Sequence, residues 1–401
     1  MSVRPVSGGI TAAHGFLASG VAAGIKASGA LDVTLIVSER EAAVAAVFTT
    51  NQVQAAPVVL SRNHVRESGG RARAVIINSG CANACTGSQG MAAARATVEA
   101  VAALVGCPET QVIVCSTGVI GVDLPSDKVI AGARAAHASL GRNGAAAARG
   151  IMTTDVAPKE YSVEVTTPAG TFRVGGIAKG AGMIEPNMAT MLAFVTTDAA
   201  VSPALLDRAV REVADRTFNA ITIDGDSSTN DTFALLASGA SGVEVDEALY
   251  RSFVESVETV ARELALMIVR GGEGATKLVA VRVTGAASTA DAKNAAKTIA
   301  NSLLVKTAIH GADPNWGRLV AAAGRSGATF VLERALVEVG PLVLFRDGQP
   351  HDDQAPAAAE YLRQTELDVH VDLGTGGPGG AVVWTCDLSA EYVRINGEYR
   401  T

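Results

Sequence analysis

Aromatic residues are scarce in this 401-residue chain, where Phe, Tyr and Trp together make up 4%. Cysteine is also sparse. Cys81, Cys85, Cys107, Cys115 and Cys386 form an odd set of five, which argues against a disulfide framework and for a reducing, cytoplasmic compartment. Cys81 and Cys85 are spaced C-x₃-C with no second Cys or His pair nearby, so the four ligands of a structural zinc site are missing and no metal is expected. Positive charge is not in excess either. The chain carries 33 Lys plus Arg against 40 Asp plus Glu, a net charge of −7, and no dense basic run. Phosphate backbones demand clustered positive charge, which excludes nucleic acid as the main partner. The uncharged opening stretch Pro5–Ile25 holds five glycines with Ser7, Thr11, His14 and Ser19. It is too polar for a membrane span and lacks the basic lead of a signal peptide.

What is present reads as globular. Apolar residues make up 48% and charged residues 18%, and the length favours two domains. Strands are expected at Leu31–Ser38, Ala43–Thr49, Pro57–Ser61, Arg73–Asn78, Val112–Cys115, Tyr161–Thr166, Thr171–Ala178 and Met191–Thr197, with a turn at Pro168–Gly170. Helices are expected at Met91–Val105 and at Pro203–Asp215, the latter behind the N-cap Ser202. The clearest helix is Glu247–Arg270. Leu249, Phe253, Val257, Val260, Leu264 and Ile268 recur at steps of three and four, and Gly271–Gly272 stops it. Glu273 falls on the loop beyond, ahead of a strand at Lys277–Val283. After the small-residue linker Ala286–Ala290 the chain reads as a smaller α/β unit. Its helices are placed at Asp291–Ser302 and Trp316–Gly324, and its strands at Thr329–Val339, Leu342–Phe345, Leu367–Asp372 and Ala381–Thr385. The expected fold class is mixed α/β, with domains at 1–285 and 286–401.

Several motifs are absent. No G-x-S-x-G elbow occurs. Gly271–Lys277 lacks the spacing of a phosphate loop and follows a helix where such a loop follows a strand. Asp224–Asn230 has its glycine in the wrong place for a calcium loop, and reads as a dense hydrogen-bonded loop running to Thr232. Four segments remain: the glycine-rich Lys179–Thr190, which runs through Pro186 into a strand; Cys115–Gly121, where Thr117-Gly118 follows a strand; the polar Lys306–Arg318; and the terminal Asn396–Thr401. On their own, most of these read as turns and connectors.

Taken together, these segments resemble the ornithine acetyltransferase family, the self-cleaving glutamate N-acetyltransferases of arginine biosynthesis. Further stretches carry the resemblance: Gly20–Lys26, Val47–Asn51, Asn78–Gly87, Ile151–Asp155, Asp224–Thr232 and Glu273–Lys277. Lys179–Leu192 is close to diagnostic alone. The match runs from about Gly15 to Thr401. It implies a self-processing αββα layered fold of the N-terminal-nucleophile type, followed by the smaller C-terminal α/β unit.

The resemblance also implies a mechanism. A threonine hydroxyl needs a base to act as nucleophile. The family breaks the Ala189–Thr190 bond, so that Thr190 begins a new chain with a free α-amine. Such an amine has a reference pKa of about 7.7–8.0, near the operating pH where a general base works best. Thr190 would take acetyl from N-acetylornithine and pass it to glutamate. Thr117 and Gly118 correspond to the oxyanion hole, and Thr154, Lys179, Thr190, Glu273, Asn396 and Thr401 to substrate-binding positions. No metal or cofactor is implied. Some members also accept acetyl-CoA as donor, and no sequence feature decides that here. Members assemble from two α (1–189) and two β (190–401) fragments. Two alternatives stay open: an aminopeptidase or amidase of the same self-cleaving fold, and an inactive interaction protein that retains it.

Overall fold

The computed structural model describes residues 1–185 and 191–398. The chain forms two compact units. One comprises Met1–Asn219 and Asp226–Ile268, the other Ala220–Gly225 and the chain from Val269 onward. Among the described residues, no helix is long and apolar enough to cross a membrane.

The first unit begins with β1 (Ser2–Pro5), β2 (Phe16–Val21), β3 (Val33–Phe48), α1 (Ala56–Glu67), β4 (Arg71–Cys81), α2 (Gly87–Val105) and β5 (Val112–Val119). It continues through α3 (Ser126–Ala138), α4 (Gly144–Gly150), β6 (Lys159–Thr167), β7 (Gly170–Lys179), β8 (Leu192–Thr197), β9 (Ala200–Val201) and α5 (Pro203–Arg216). β10 (Thr232–Ala237), β11 (Glu244–Val245) and α6 (Glu247–Arg270) follow. The main sheet has the order β1-β6-β7-β8-β10-β3-β4-β5, with β2 also on β3, while β9 and β11 form a separate pair. Near-continuous apolar strands mark a sheet covered on both faces, and successive residues divide accordingly. Ile36, Val75, Ile77 and Ile113 join one buried cluster, which also takes Ala147 and Ala148 of α4. Leu35, Val37, Ile76 and Val114 join another with Val98 and Val101 of α2 and Ala133 of α3.

The two strands expected at 31–49 are one. The charged Glu39, Arg40 and Glu41 are exposed at an irregularity between Val37 and Ala42, which bends the strand without ending it. The strand expected at Pro57–Ser61 is helical. Pro57 sits in the first turn of α1, where a missing N–H does no harm, and buried Val58, Ser61 and His64 continue a helical stripe. α6 runs over Glu247–Arg270 as its spacing requires, with Phe253, Val257, Val260, Leu264 and Ile268 fully buried.

The second unit contains β12 (Leu278–Ala286), α7 (Thr289–Ala300), α8 (Leu303–His310), α9 (Trp316–Gly324), β13 (Leu336–Val339), β14 (Leu342–Arg346), β15 (Gln349–Pro350), α10 (Ala355–Tyr361), β16 (Glu366–Asp372), β17 (Gly379–Cys386) and α11 (Ala390–Glu398). Its sheet has the order β15-β14-β13-β16-β12-β17. Small residues on α7 (Ala292, Ala295 and Ala296) pack with Val279, Val281 and Val283 of β12. The boundary expected near 285 lies at the end of β12, yet that strand pairs along its length with β16 and β17. The compositional shift therefore marks the first long helix of the second unit and not its first strand. Likewise, the strand expected over Thr329–Val339 is confined to Leu336–Val339.

Candidate functional site

β8 opens just beyond the segment that ends at Thr190. Its first residue, Leu192, pairs with Lys179 of antiparallel β7 on one side and with Thr232 of parallel β10 on the other. The start of β8 is thus bracketed by Lys179 and by the polar loop that leads into β10. That loop is densely bonded, as its composition requires. The Thr49 hydroxyl donates to Ser228 O at 2.8 Å, and Asn51 Nδ2 donates to Ser227 O at 3.0 Å. Asn230 Nδ2 donates to Ser116 O at 2.9 Å, which ties the entry of β10 to the end of β5.

The end of β5 carries Thr117 and Gly118. Parallel pairing with β4 sets Thr117 opposite Ser79 and Gly118 opposite Gly80. Gly118 has φ +127°, and a Cβ there would lie 2.4 Å from the Gly80 carbonyl carbon. Only glycine meets both demands. Lys179 Nζ donates to Thr117 Oγ1 at 3.2 Å, with both residues about nine-tenths buried. Because this hydroxyl accepts from the ammonium, its own proton remains available for a second hydrogen bond.

Asp155 organises the other flank. Its carboxylate accepts Gly180 N at 2.7 Å and Thr153 N at 3.0 Å, and Lys159 Nζ donates to it. Burial pushes this carboxyl up, but the Lys179 and Lys159 charges outweigh burial and hold it at about 2. Thr154, half-buried, directly precedes it. Lys26 faces the same charges. Its burial and the like charge of Lys179 lower its pKa, against the opposing pull of Asp32.

Asp231 lies on the opposite side of β8. It is 2% exposed, its carboxyl accepts the Met191 N–H, and its Oδ2 has no hydrogen-bond partner among the described residues. Burial pushes this carboxyl well above the usual range, while Ser228 and the Lys179 charge pull in the other direction.

In the second unit, Asn396 Nδ2 of α11 donates to Glu273 Oε2 at 2.8 Å. Glu273 is buried in the turn after α6. Gly274 turns the chain at φ +68°, and its carbonyl accepts the Ser389 hydroxyl at 2.7 Å. Buried Asp387 anchors the exit of this turn, accepting Thr276 N at 2.8 Å, Lys277 N at 2.9 Å and His310 Nδ1 at 2.7 Å. Although burial raises the Asp387 carboxyl, Thr276 and His310 bring it below its ordinary value.

The structure therefore brings Thr117, Gly118 and Lys179 together, with Thr154 one residue from the carboxylate that holds Gly180. It separately brings Glu273 to Asn396. Ala189, Thr190 and Thr401 lie outside the described residues. Asp155, Asp231 and Asp387 were not singled out by the sequence. Their one sequence signal is an acidic residue at the edge of an apolar strand or within a small polar loop.

The profile described as ArgJ family matches residues 17–401. The chain is 49% identical over 402 residues to the arginine biosynthesis bifunctional protein ArgJ of Symbiobacterium thermophilum, covering 99% of both chains. It is 50% identical over 394 residues to the protein of the same name from Geobacter sulfurreducens, covering 96% of this chain and 99% of that one. A crystal structure of arginine biosynthesis bifunctional protein ArgJ from Bacillus halodurans superposes with a TM-score of 0.51 at 41% identity, covering 52% of this chain and 100% of that chain. The chain belongs to the ArgJ family.

Proposed function

We propose that this chain is a glutamate N-acetyltransferase of arginine biosynthesis. It would move acetyl from N-acetylornithine to glutamate through an ester on Thr190, freed by scission of the Ala189–Thr190 bond. The observation that carries this reading is the near-full-length relation to arginine biosynthesis bifunctional proteins at 49 and 50% identity. A second observation supports the scission. The whole of the solved Bacillus halodurans chain matches only 52% of this one, the length relation that a cut near the middle gives.

The chemistry follows from the residues. Thr190 Oγ attacks the Ala189 carbonyl, the acyl group shifts from N to O, and hydrolysis releases it. In the mature enzyme the Thr190 α-amine takes the hydroxyl proton as Oγ attacks the acetyl carbonyl of N-acetylornithine, and it returns a proton to the departing ornithine amine. Glutamate's amine then attacks the acetyl ester in the second half-reaction. The Thr117 hydroxyl and the Gly118 N–H receive the oxyanion of each tetrahedral intermediate. One such donor is worth about 3–4 kcal/mol in barrier. Lys179 offers a cation, and the Glu273–Asn396 pair offers a carboxylate, for the charged groups of an amino-acid substrate.

Two measurements test the reading. Wild-type protein is expected to run as two bands on a denaturing gel, and Thr190→Ala as one; two bands from Thr190→Ala would overturn the cleavage assignment. With N-acetylornithine, ornithine release is expected to depend on glutamate and to yield N-acetylglutamate. Equal acetate release with and without glutamate would instead mark a hydrolase. Replacing N-acetylornithine by acetyl-CoA in the same assay decides whether the second donor is used.

A further inference from the structure

We propose that Asp387 and Ser389 are positioning residues for substrate binding: by clamping the turn after α6 they fix the direction in which Glu273 presents its carboxylate. The inference deepens the reading of Glu273 as a substrate contact and rests on it.

Three observations carry it. First, residues 273–277 form neither helix nor strand, and buried Asp387 holds their far end. Its Oδ1 accepts Thr276 N at 2.8 Å and Lys277 N at 2.9 Å, and its Oδ2 accepts the Thr276 hydroxyl at 2.6 Å. His310 Nδ1, at 2.7 Å, fills the remaining position on Oδ2. An ionised carboxyl offers about four lone-pair directions, so this one is saturated and cannot turn. Against burial, the bonds from Thr276 and His310 hold it below its ordinary value, so it is a carboxylate at neutral pH, where bonds to a charged acceptor are the strong ones. Second, Ser389 holds the near end. Its hydroxyl donates to Gly274 O at 2.7 Å, and a Cβ on Gly274 would lie 2.5 Å from Tyr392 N. The turn is therefore seated directly against the first residues of α11. Third, α11 returns the contact. Asn396 Nδ2 donates to Glu273 Oε2 at 2.8 Å and to Tyr392 O at 3.1 Å. Glu273 is 6% exposed, and its Oε1 makes no hydrogen bond among the described residues. One oxygen is thus held and the other is left for a ligand.

The clamp matters to binding because an irregular turn released from it would have to be ordered by the substrate itself, at the expense of affinity. A binding residue works when its own supports keep it in place, and here those supports lie within a single short segment, Asp387 to Ser389. In the proposed reaction Glu273 meets a charged group of the substrate and not the bond that breaks. Misdirecting it weakens ground state and transition state alike, which raises KM and leaves kcat near its value. A residue with a structural task alone behaves differently. Asp387 follows Cys386, which pairs with Leu278 at the start of β12. Were its task confined to that junction, its loss would lower stability and leave KM where it was.

The test is steady-state kinetics of cleaved protein, with N-acetylornithine varied at saturating glutamate, in a double-mutant cycle. Asp387→Ala is expected to raise KM for N-acetylornithine about five- to tenfold, the worth of one ordinary hydrogen bond, with kcat changed less than about twofold. Added to Glu273→Ala, the same substitution should move KM by less than about twofold, because the side chain it directs is already gone. Wild-type KM in folded Asp387→Ala, or an equal rise in both backgrounds, overturns the proposal. If Asp387→Ala does not fold, Ser389→Ala carries the test. It must raise KM by about threefold and lose that effect beside Glu273→Ala, and failure of either overturns the proposal. Glu273→Ala alone is read separately. Wild-type KM there defeats the reading of Glu273 as a substrate contact, whereas a raised KM there beside wild-type KM in Asp387→Ala defeats only the positioning role.

Discussion

At the scale of single residues, Gly118 and Asp155 are held by different physics. A side chain at Gly118 would have to accept φ +127° and displace the Gly80 backbone at 2.4 Å. Strained φ costs about 1–3 kcal/mol and overpacking a similar amount. Gly118→Ala should therefore lose roughly 2–5 kcal/mol in urea denaturation by these terms, and a loss under about 0.5 kcal/mol, ordinary for surface changes, would show that the turn is not constrained. Asp155 acts through charge. Its folded pKa of about 2 lies below the ordinary 3.8, so its stabilising contribution is complete above pH 4 and is lost as the pH falls through 2. The shift corresponds to about 2 kcal/mol. The stability gap between wild type and Asp155→Asn should shrink by about that amount between pH 4 and pH 2, as measured by urea denaturation at each pH. A gap independent of pH would mean that the carboxylate is not favoured by Lys179 and Lys159.

At the scale of elements, stability is concentrated where periodicity and burial agree. α6 buries Phe253 and Leu264 completely while Arg251 and Glu255 stay in solvent. Phe253→Ala should cost about 3–5 kcal/mol through transfer and cavity terms, and Arg251→Ala under about 0.5 kcal/mol. Comparable losses in a thermal melt would refute that division of faces. The same agreement explains which elements the sequence disclosed. α6 and α9 were legible because apolar residues of contrasting size recur at helical spacing and glycine closes each. α3 escaped notice because its buried face is Val129, Gly132, Ala133 and Ala136, small residues that barely stand out in an alanine-rich chain. α1 was mistaken for a strand because four apolar letters and a serine carry no period, and the deciding signal was Pro57 in the first turn. Lys306–Arg318 read as a polar loop, yet most of it is helical, with Lys306 buried against Thr385 Oγ1 at 2.9 Å. For the candidate site, Thr117, Gly118, Lys179, Glu273 and Asn396 were named through a family resemblance and not through any local pattern. Asp155 and Asp231 fell inside stretches that carry the resemblance but were given no role, since what each holds, Gly180 for Asp155 and Met191 for Asp231, is set by the fold and not by spacing.

At the scale of the whole molecule, the proposed cut falls between strands that stay paired. β7 precedes the Ala189–Thr190 junction and β8 follows it, and the two pair from Val174↔Thr197 to Lys179↔Leu192. β3, far upstream, pairs with β10, downstream, from Ala43↔Ala237 to Phe48↔Thr232. Buried Ile177 and Phe194 belong to one apolar cluster with Ile36, Val75 and Leu236, so residues from both sides of the junction share a single core. Separating the fragments would expose that core and break two strand pairings, leaving four edges whose unpaired N–H and C=O groups are costly to leave open. The cut should therefore release a chain end without releasing a fragment. Cleaved protein is expected to elute from gel filtration in native buffer as one species, of at least the mass of the intact chain, whose peak yields both bands on a denaturing gel. An assembly of two α and two β fragments would elute at twice that mass. Fragments that resolve into separate peaks without denaturant would show that the sheet does not survive scission, and β8 would then lose its β7 neighbour, Lys179 included, while keeping β10.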